Sequence, residues 1–165
     1  MNRIAALALS SSLAFAPAWA QTTSPLPQGS GPGVHSPNSP IAPLPQRSDV
    51  VPWSLLTAVN TKTEKNKLVP VFSKEQLALA QKPQRVQGFM MPLEPGEKQT
   101  HFLLSSVPLS CGFCVPGGPE SMVEVKTKTP VQYTLDPVVV QGIFATLTND
   151  DYGLYYRITD AVAVK

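Results

Sequence analysis

The chain is 165 residues long, rich in proline (18 residues), with 2 cysteines and only 15% charged side chains. Lys and Arg number 13 against 11 Asp and Glu, for a formal net charge of +2. That balance is too close to neutrality to steer nucleic acid or an anionic membrane surface, so the pI near 8.6 is not a nucleic-acid signature.

Residues 1–20 read as a cleavable secretory signal. Arg3 supplies the positive start, an apolar run from Ile4 to Ala16 is broken only by Ser10, Ser11 and Ser12, and Ala18-Trp19-Ala20 places small residues where signal peptidase reads, just before Gln21. The predicted cut lies between Ala20 and Gln21. The run is shorter than the roughly 20 apolar residues a spanning helix needs, and no later segment approaches that length. No Cys follows the cut to carry a lipid anchor. The mature chain is therefore expected in the periplasm or outside the cell, without a membrane span.

From Gln21 to Val50 the composition changes to seven prolines and three glycines in thirty residues. Such a stretch buries too little apolar surface to offset its ordering entropy, which predicts a disordered, extended, partly polyproline-like tether. His35 falls in it as a solvated linker residue. Residues 51–165 remain, enough for one domain with a single hydrophobic core.

Within that domain Pro52-Trp53-Ser54-Leu55-Leu56 forms the entry, with Trp53 as a core anchor. The lysine-rich stretch 62–67 is predicted as an exposed loop, and Val69–Phe72 as a short apolar run. Ser73-Lys74-Glu75-Gln76 has capping-box spacing, so a short helix is expected through Ala80 until Pro83 stops it. Strand patterns follow at 85–91, 100–107, 121–126, 137–147 and 154–164. Glu94-Pro95-Gly96-Glu97 and Asn149-Asp150-Asp151-Tyr152-Gly153 are the turns. Asp150 and Asp151 need no role beyond that turn, and Asp160 reads as a strand-edge residue. Gly88 and Gly142 interrupt strands, which marks bulges or sharp bends where a small barrel closes. The expected fold is mainly β: a small antiparallel OB-like barrel with one short helix, preceded by the signal and the arm, with a generic β-sandwich as the alternative.

One constellation could carry chemistry. Cys111-Gly112-Phe113-Cys114 is followed by Pro116, Gly117, Gly118 and Pro119, which forbid a helix, so the pair sits on a loop. Thioredoxin-like catalysis needs C-x-x-C at a helix start in a βαβ setting, and that context is missing. Two readings stay open. A local disulfide suits an oxidising compartment; closing only four residues, it is worth roughly 2 kcal/mol in the chain-entropy model. Alternatively, two thiolates on a turn can bind Zn²⁺ or Cu(I), with His101 and Met90 as further donors and Met91, Met122 and Glu120 nearby. A strand of seven residues rises roughly 23 Å, so the loop must fold back for His101 to reach the thiols. No G-x-S-x-G, H-E-x-x-H or P-loop pattern is present.

Gly88-Phe89-Met90-Met91-Pro92-Leu93, then Phe102-Leu103-Leu104, Cys111 with prolines after it, Met122-Val123-Glu124-Val125, Val138–Gly142 and Tyr155–Val164 occur in an order that resembles an uncharacterised family of exported bacterial proteins. It is classed as a domain of unknown function, number thirty-two ninety-nine, and the likeness covers most of residues 51–165. In the commoner form of that family the Cys is followed two or three residues on by His and then by a proline run. Here Cys114 stands near that His, and Gly117-Gly118-Pro119-Glu120 replaces the prolines. The resemblance implies that one soft donor stands in for another, consistent with the family's appearance in metal-handling contexts. The expectation is a non-enzymatic periplasmic protein with a transition-metal site at Cys111, Cys114, His101 and Met90. The alternative is an envelope module that binds a partner protein or a glycan, with Cys111–Cys114 as a local disulfide.

Overall fold

The computed structural model describes residues 31–165. The predicted signal with its Ala20/Gln21 junction, and the first ten residues of the arm, lie outside that range. Seven strands occur in chain order: β1 Asn60–Glu64, β2 Lys67–Val71, β3 Pro83–Pro92, β4 Lys98–Ser105, β5 Met122–Gln132, β6 Val138–Thr146 and β7 Tyr156–Val164. Two short helices, α1 Trp53–Leu56 and α2 Lys74–Leu79, and one 3₁₀ turn at Pro119–Ser121 complete the elements.

The last five strands close into a barrel in the order β3-β4-β5-β7-β6, with β6 returning to β3. All neighbours are antiparallel except β5 and β7, which run parallel. A five-stranded closed sheet with this one crossing is the OB-like arrangement. The five strand patterns expected from alternation are these five strands. Alternation also assigns their inner faces: Val86 of β3, Phe102 and Leu104 of β4, Val123 and Val125 of β5, Val140 and Phe144 of β6, Tyr156 and Ile158 of β7 are all fully buried.

The two interior glycines act as expected. Gly88 sits where β3 passes from its pairing with β6 to its pairing with β4. At Gly142 the β6–β7 register shifts, and a Cβ there would stand 2.6 Å from both Ile158 Cγ2 and the Thr159 carbonyl oxygen. Opposite this bulge Asp160 takes a left-handed conformation, φ 54°, and its carboxylate lies 3.6 Å from Lys128 Nζ. Asp tolerates that region better than most residues. Asp160 is thus a bulge residue on β7, more specific than a plain strand edge.

One end of the barrel is plugged by the two helices. Ser73 and Gln76 form the predicted capping box: Ser73 N–H donates to Gln76 Oε1 at 2.8 Å and Gln76 N–H to Ser73 Oγ at 3.2 Å. The Gln76 amide, fully buried, also donates to the Leu55 carbonyl at 2.8 Å. Tyr156 O–H donates to the Leu56 carbonyl at 2.7 Å, and its ring lies 5.6 Å from that of Phe72 and 5.5 Å from that of Phe144. Trp53 packs on the core as expected and spends its indole N–H on the Gln87 carbonyl at 2.8 Å.

Two local expectations are corrected. The entry segment is a one-turn helix, so the domain has two short helices. Residues 62–67 are not a loop but the centre of the β1–β2 hairpin, whose turn Lys65-Asn66 has φ of 46° and 63°. Both turn residues left-handed is the geometry that matches strand twist, and because β1 is wholly exposed no polar–apolar alternation signals it. Residues 31–50 form no helix or strand of their own, as expected of the arm; Val34 makes a bridge with Val115, and just past the arm the Val51 N–H bonds to the Arg85 carbonyl at 2.8 Å.

Gly142→Ala is expected to cost about 1–3 kcal/mol, because the added methyl meets packed side chain and backbone. Gly112→Ala, with open space around its Cβ position, should leave stability unchanged. Urea midpoints of the two variants, with the slope held constant, measure the difference.

Candidate functional site

The loop joining β4 to β5 carries both cysteines, and its form follows from the residues in it. Pro108 and Pro116 bracket the pair, Cys111 N–H bonds to the Pro108 carbonyl and Cys114 N–H to the Cys111 carbonyl, each at 3.2 Å. This tight turn brings the two Cα atoms to 5.4 Å, and the sulfurs are joined as a disulfide. Cys111 is buried, while Gly112 and Phe113 project outward, Phe113 being 65% exposed.

The four residues expected to share a metal do not converge. Cys111 and Cys114 are bonded to each other. His101, on β4, gives its Nε2–H to Glu124 Oε1 at 2.7 Å. Met90 is a core residue packed among Phe102, Leu104 and Val125 in the barrel cluster. Among the described residues no group of three or more His, Cys, Asp or Glu side chains is arranged to hold a metal ion. Glu120, the nearest carboxylate in sequence, accepts the Gly31 N–H instead. His35 bonds the Ile41 carbonyl through Nε2 at 2.8 Å and closes a turn of the arm.

Beside the cysteine loop lies a small cleft of about 220 Å³, floored by Met90 and Met91 of β3 and walled by Leu109, Tyr133 and Leu135. Leu135 is 54% exposed and Tyr133 38%. Leu93 follows the cleft's Pro92, and Val115 follows the cysteine turn; both are exposed. Of the side chains that line the cleft, the aromatic Tyr133 and the aliphatic Leu135 are the large apolar ones offered to solvent. A larger open cleft of about 790 Å³ lies between the β1–β2 hairpin and the β6–β7 turn. Two of its carboxylates are already committed, Glu120 to the arm and Asp150 to the turn, where it accepts the Tyr152 and Leu154 N–H groups at 3.0 and 3.2 Å.

A cluster that alternation alone does not reveal lies on the outer face of β4, β5 and β7. Glu124 has its side chain only 5% exposed and accepts from Arg157 Nε and from His101, with Lys126 Nζ as an ion-pair partner at 3.6 Å. The second arm of Arg157 reaches Asp150 at 2.9 Å. Burial alone would raise the Glu124 carboxyl, but the hydrogen bonds from Arg157 and His101 and the charges of Arg157 and Lys126 outweigh it and hold the group below its ordinary value. Asp150 is lowered in the same way, burial being outweighed by the Leu154 and Tyr152 N–H groups and by Arg157. A carboxylate held by the Arg157 guanidinium, the Lys126 ammonium and a His101 N–H is a poor proton acceptor, so this network joins strands rather than supplying a general base. Sequence alone marks Glu124 and Arg157 only as outward-facing charges between inward-facing apolar residues.

The family model described as protein of unknown function (DUF3299) matches residues 45–158. Among solved structures the chain is similar to the crystal structure of a DUF3299 family protein from Pseudomonas aeruginosa PAO1, at 22% identity and a TM-score of 0.43, over 80% of this chain and 91% of that one. No curated protein matches.

Glu124→Gln is expected to destabilise the protein at pH 7 by about 1–3 kcal/mol, because Arg157 and His101 lose their charged acceptor. The folded carboxyl titrates below the unfolded value of about 4.3, so its stabilisation is complete above that pH and lost as pH falls through the folded value. Urea unfolding of both proteins at pH 7 and pH 3 should show the gap narrowing in acid.

Proposed function

Because the chain belongs to the DUF3299 family, described only as proteins of unknown function, no activity comes with membership, and we propose that it is an exported, non-enzymatic module that docks an apolar segment of a partner protein beside its disulfide loop. The observation that carries this reading is the pairing of Cys111 with Cys114 on a loop whose Leu109 and Ser110 line a cleft with Tyr133 and Leu135, while Phe113 stands exposed on the same loop. A disulfide persists in oxidising compartments, which agrees with the leader read in residues 1–20.

The occupant is a polypeptide for reasons of size and chemistry. Small-molecule pockets run from about 300 to 1,000 Å³; this one, at about 220 Å³, accepts one or two side chains. Its lining is mostly hydrocarbon and thioether, with the Tyr133 phenol and the Ser110 and Thr134 hydroxyls, rather than the dense polar groups a sugar needs. Exposed aromatics beside a pocket are the usual anchors of protein interfaces, and a loop already stiffened loses less freedom on binding.

Metal binding by Cys111 and Cys114 would require their reduction and two further donors. Intact-mass measurement on protein taken from its native compartment should give the oxidised chain beginning at Gln21, with no uptake of alkylating reagent until it is reduced. Free thiols with stoichiometric zinc or copper would favour the metal reading, and a chain starting at Met1 in the cytosol would end the export reading.

Docking is read separately. A photo-crosslinking amino acid placed at Phe113 or Leu135 in the native host is expected to trap the same discrete partner band, whereas Lys62 on the distant hairpin traps none. Leu109→Asp should abolish the band. Equal labelling from all three positions, or none from Phe113 and Leu135, defeats the proposal.

A further inference from the structure

The cysteine loop has a second occupied face, and the occupant is this chain's own arm. Val34 and Val115 exchange backbone hydrogen bonds at 2.8 and 2.9 Å, the pairing of a short antiparallel bridge. Around it, Gly31 N–H donates to the Glu120 carboxylate, Ser106 O–H donates to the Pro32 carbonyl, and Ser39 Oγ lies 3.3 Å from Cys111 Sγ. Four points of the arm, from Gly31 to Ser39, thus rest on the stretch that runs from Ser106 to Glu120.

The fit is tight enough to exclude side chains on both partners. A Cβ at Gly33, φ +74°, would stand 2.9 Å from the Gly117 nitrogen and from the Val115 carbonyl oxygen. A Cβ at Gly117 would stand 2.3 Å from the Gly31 carbonyl oxygen. Backbone therefore lies directly on backbone, a contact that tolerates little movement of the loop.

What fixes the loop is the four-residue ring. Between Ser110 and Gly118 the described backbone hydrogen bonds are the two turn bonds at Cys111 and Cys114 and the pair with Val34. Gly112, Phe113, Val115 and Pro116 are exposed, so packing does not immobilise them. Cys114 stands immediately before Val115, the residue that grips the arm.

We propose that Cys111–Cys114 is a reducible latch, a site for thiol–disulfide exchange with a dithiol reductant, whose opening releases residues 31–39 from the barrel. The exchange balances within the pair of reactants. A thiolate of the reductant attacks the half-buried Cys114 sulfur, and the bond to Cys111 breaks. Cys111 leaves as a thiolate and takes up a proton. The reductant's second thiolate then attacks its own sulfur in the mixed disulfide and frees Cys114 as a thiol; the reductant ends as a disulfide and the chain as two thiols. Reopening the ring lets Cys114 and Val115 move, and the Gly33/Gly117 contact cannot be kept by a loop that moves. Release frees the Val115 N–H and carbonyl. The latch shares its loop with the docking surface but does not depend on anything docking there.

The test is amide hydrogen exchange on the full chain, oxidised and after treatment with dithiothreitol. In the oxidised protein the Val34 and Val115 amides should be protected; after reduction both should exchange about ten-fold faster or more, with the barrel amides of Val125 and Ile158 unchanged. The Cys111→Ala/Cys114→Ala protein should exchange fast from the outset and ignore the reductant. Gly117→Ala should loosen the arm with the disulfide intact, which shows that protection reports the seat itself. Protection of Val34 and Val115 that survives reduction overturns the latch. So does an equal loss at Val125 and Ile158, which would make the bond a staple of the whole domain. Either result leaves the crosslinking test of docking unaffected.

Discussion

The parallel seam between β5 and β7 is the constraint on which the rest of the molecule depends. Every other contact around the barrel is antiparallel; β3–β4, β4–β5 and β6–β7 join consecutive strands, the β3–β6 closure spans β4 and β5, and this seam alone runs parallel, between strands separated by all of β6. It is also short of regular ladder: Glu124 faces Arg157, Val125 faces Ile158, and the register then shifts before Thr127 meets Ala161. Parallel pairing is slightly weaker per residue than antiparallel. Closure therefore draws on side chains, and on the outer face the Glu124 carboxylate takes hydrogen bonds from His101 of β4 and Arg157 of β7.

Three consecutive residues of β7 connect that seam to both ends of the structure. Tyr156 points inward, stacks near Phe72 and Phe144 and holds α1 through the Leu56 carbonyl. Arg157 points outward to Glu124 and on to Asp150, which fixes the β6–β7 turn. Ile158 fills the interior and meets the bare Cα of Gly142, where the β6 ladder bends. Burial raises the Tyr156 phenol above its ordinary value, so it remains a neutral donor to the carbonyl that anchors the plug.

What the sequence discloses and what it hides divide along the same line. Apolar patterning places all five barrel strands because each lays side chains into the core, although β3, β4 and β5 bury consecutive residues rather than one face alone; Ser73 and Gln76 announce α2 because a capping box is local. The β1–β2 hairpin had no such signature, since β1 is exposed on both faces and Lys65-Asn66 is a less familiar left-handed pair than Asn-Gly. The parallel seam, and with it the Glu124–Arg157 contact, depends on a pairing 33 residues apart that no local pattern encodes. The arm was legible as proline-rich and irregular, but its seat was not. Gly33 and Gly117 look like ordinary linker glycines until they are found touching.

The cysteine pair shows how a motif can be right in location and open in chemistry. The spacing told that the two thiols share a turn, and a turn serves a disulfide or a metal equally well. The surroundings of the pair are set non-locally: Met90 belongs to the core, His101 bonds Glu124, and Glu120 accepts from the arm. A ring of four residues adds little to global stability, roughly 2 kcal/mol from chain entropy. Its effect is instead concentrated on its neighbours, Phe113 on the outside and Val115 beside the arm. An exposed aromatic on a loose loop must be ordered before it can bind, at a cost of roughly 0.5–1.5 kcal/mol for each side chain immobilised. Holding it on a closed ring meets that cost in advance, and the same ring leaves the local order reversible by two electrons.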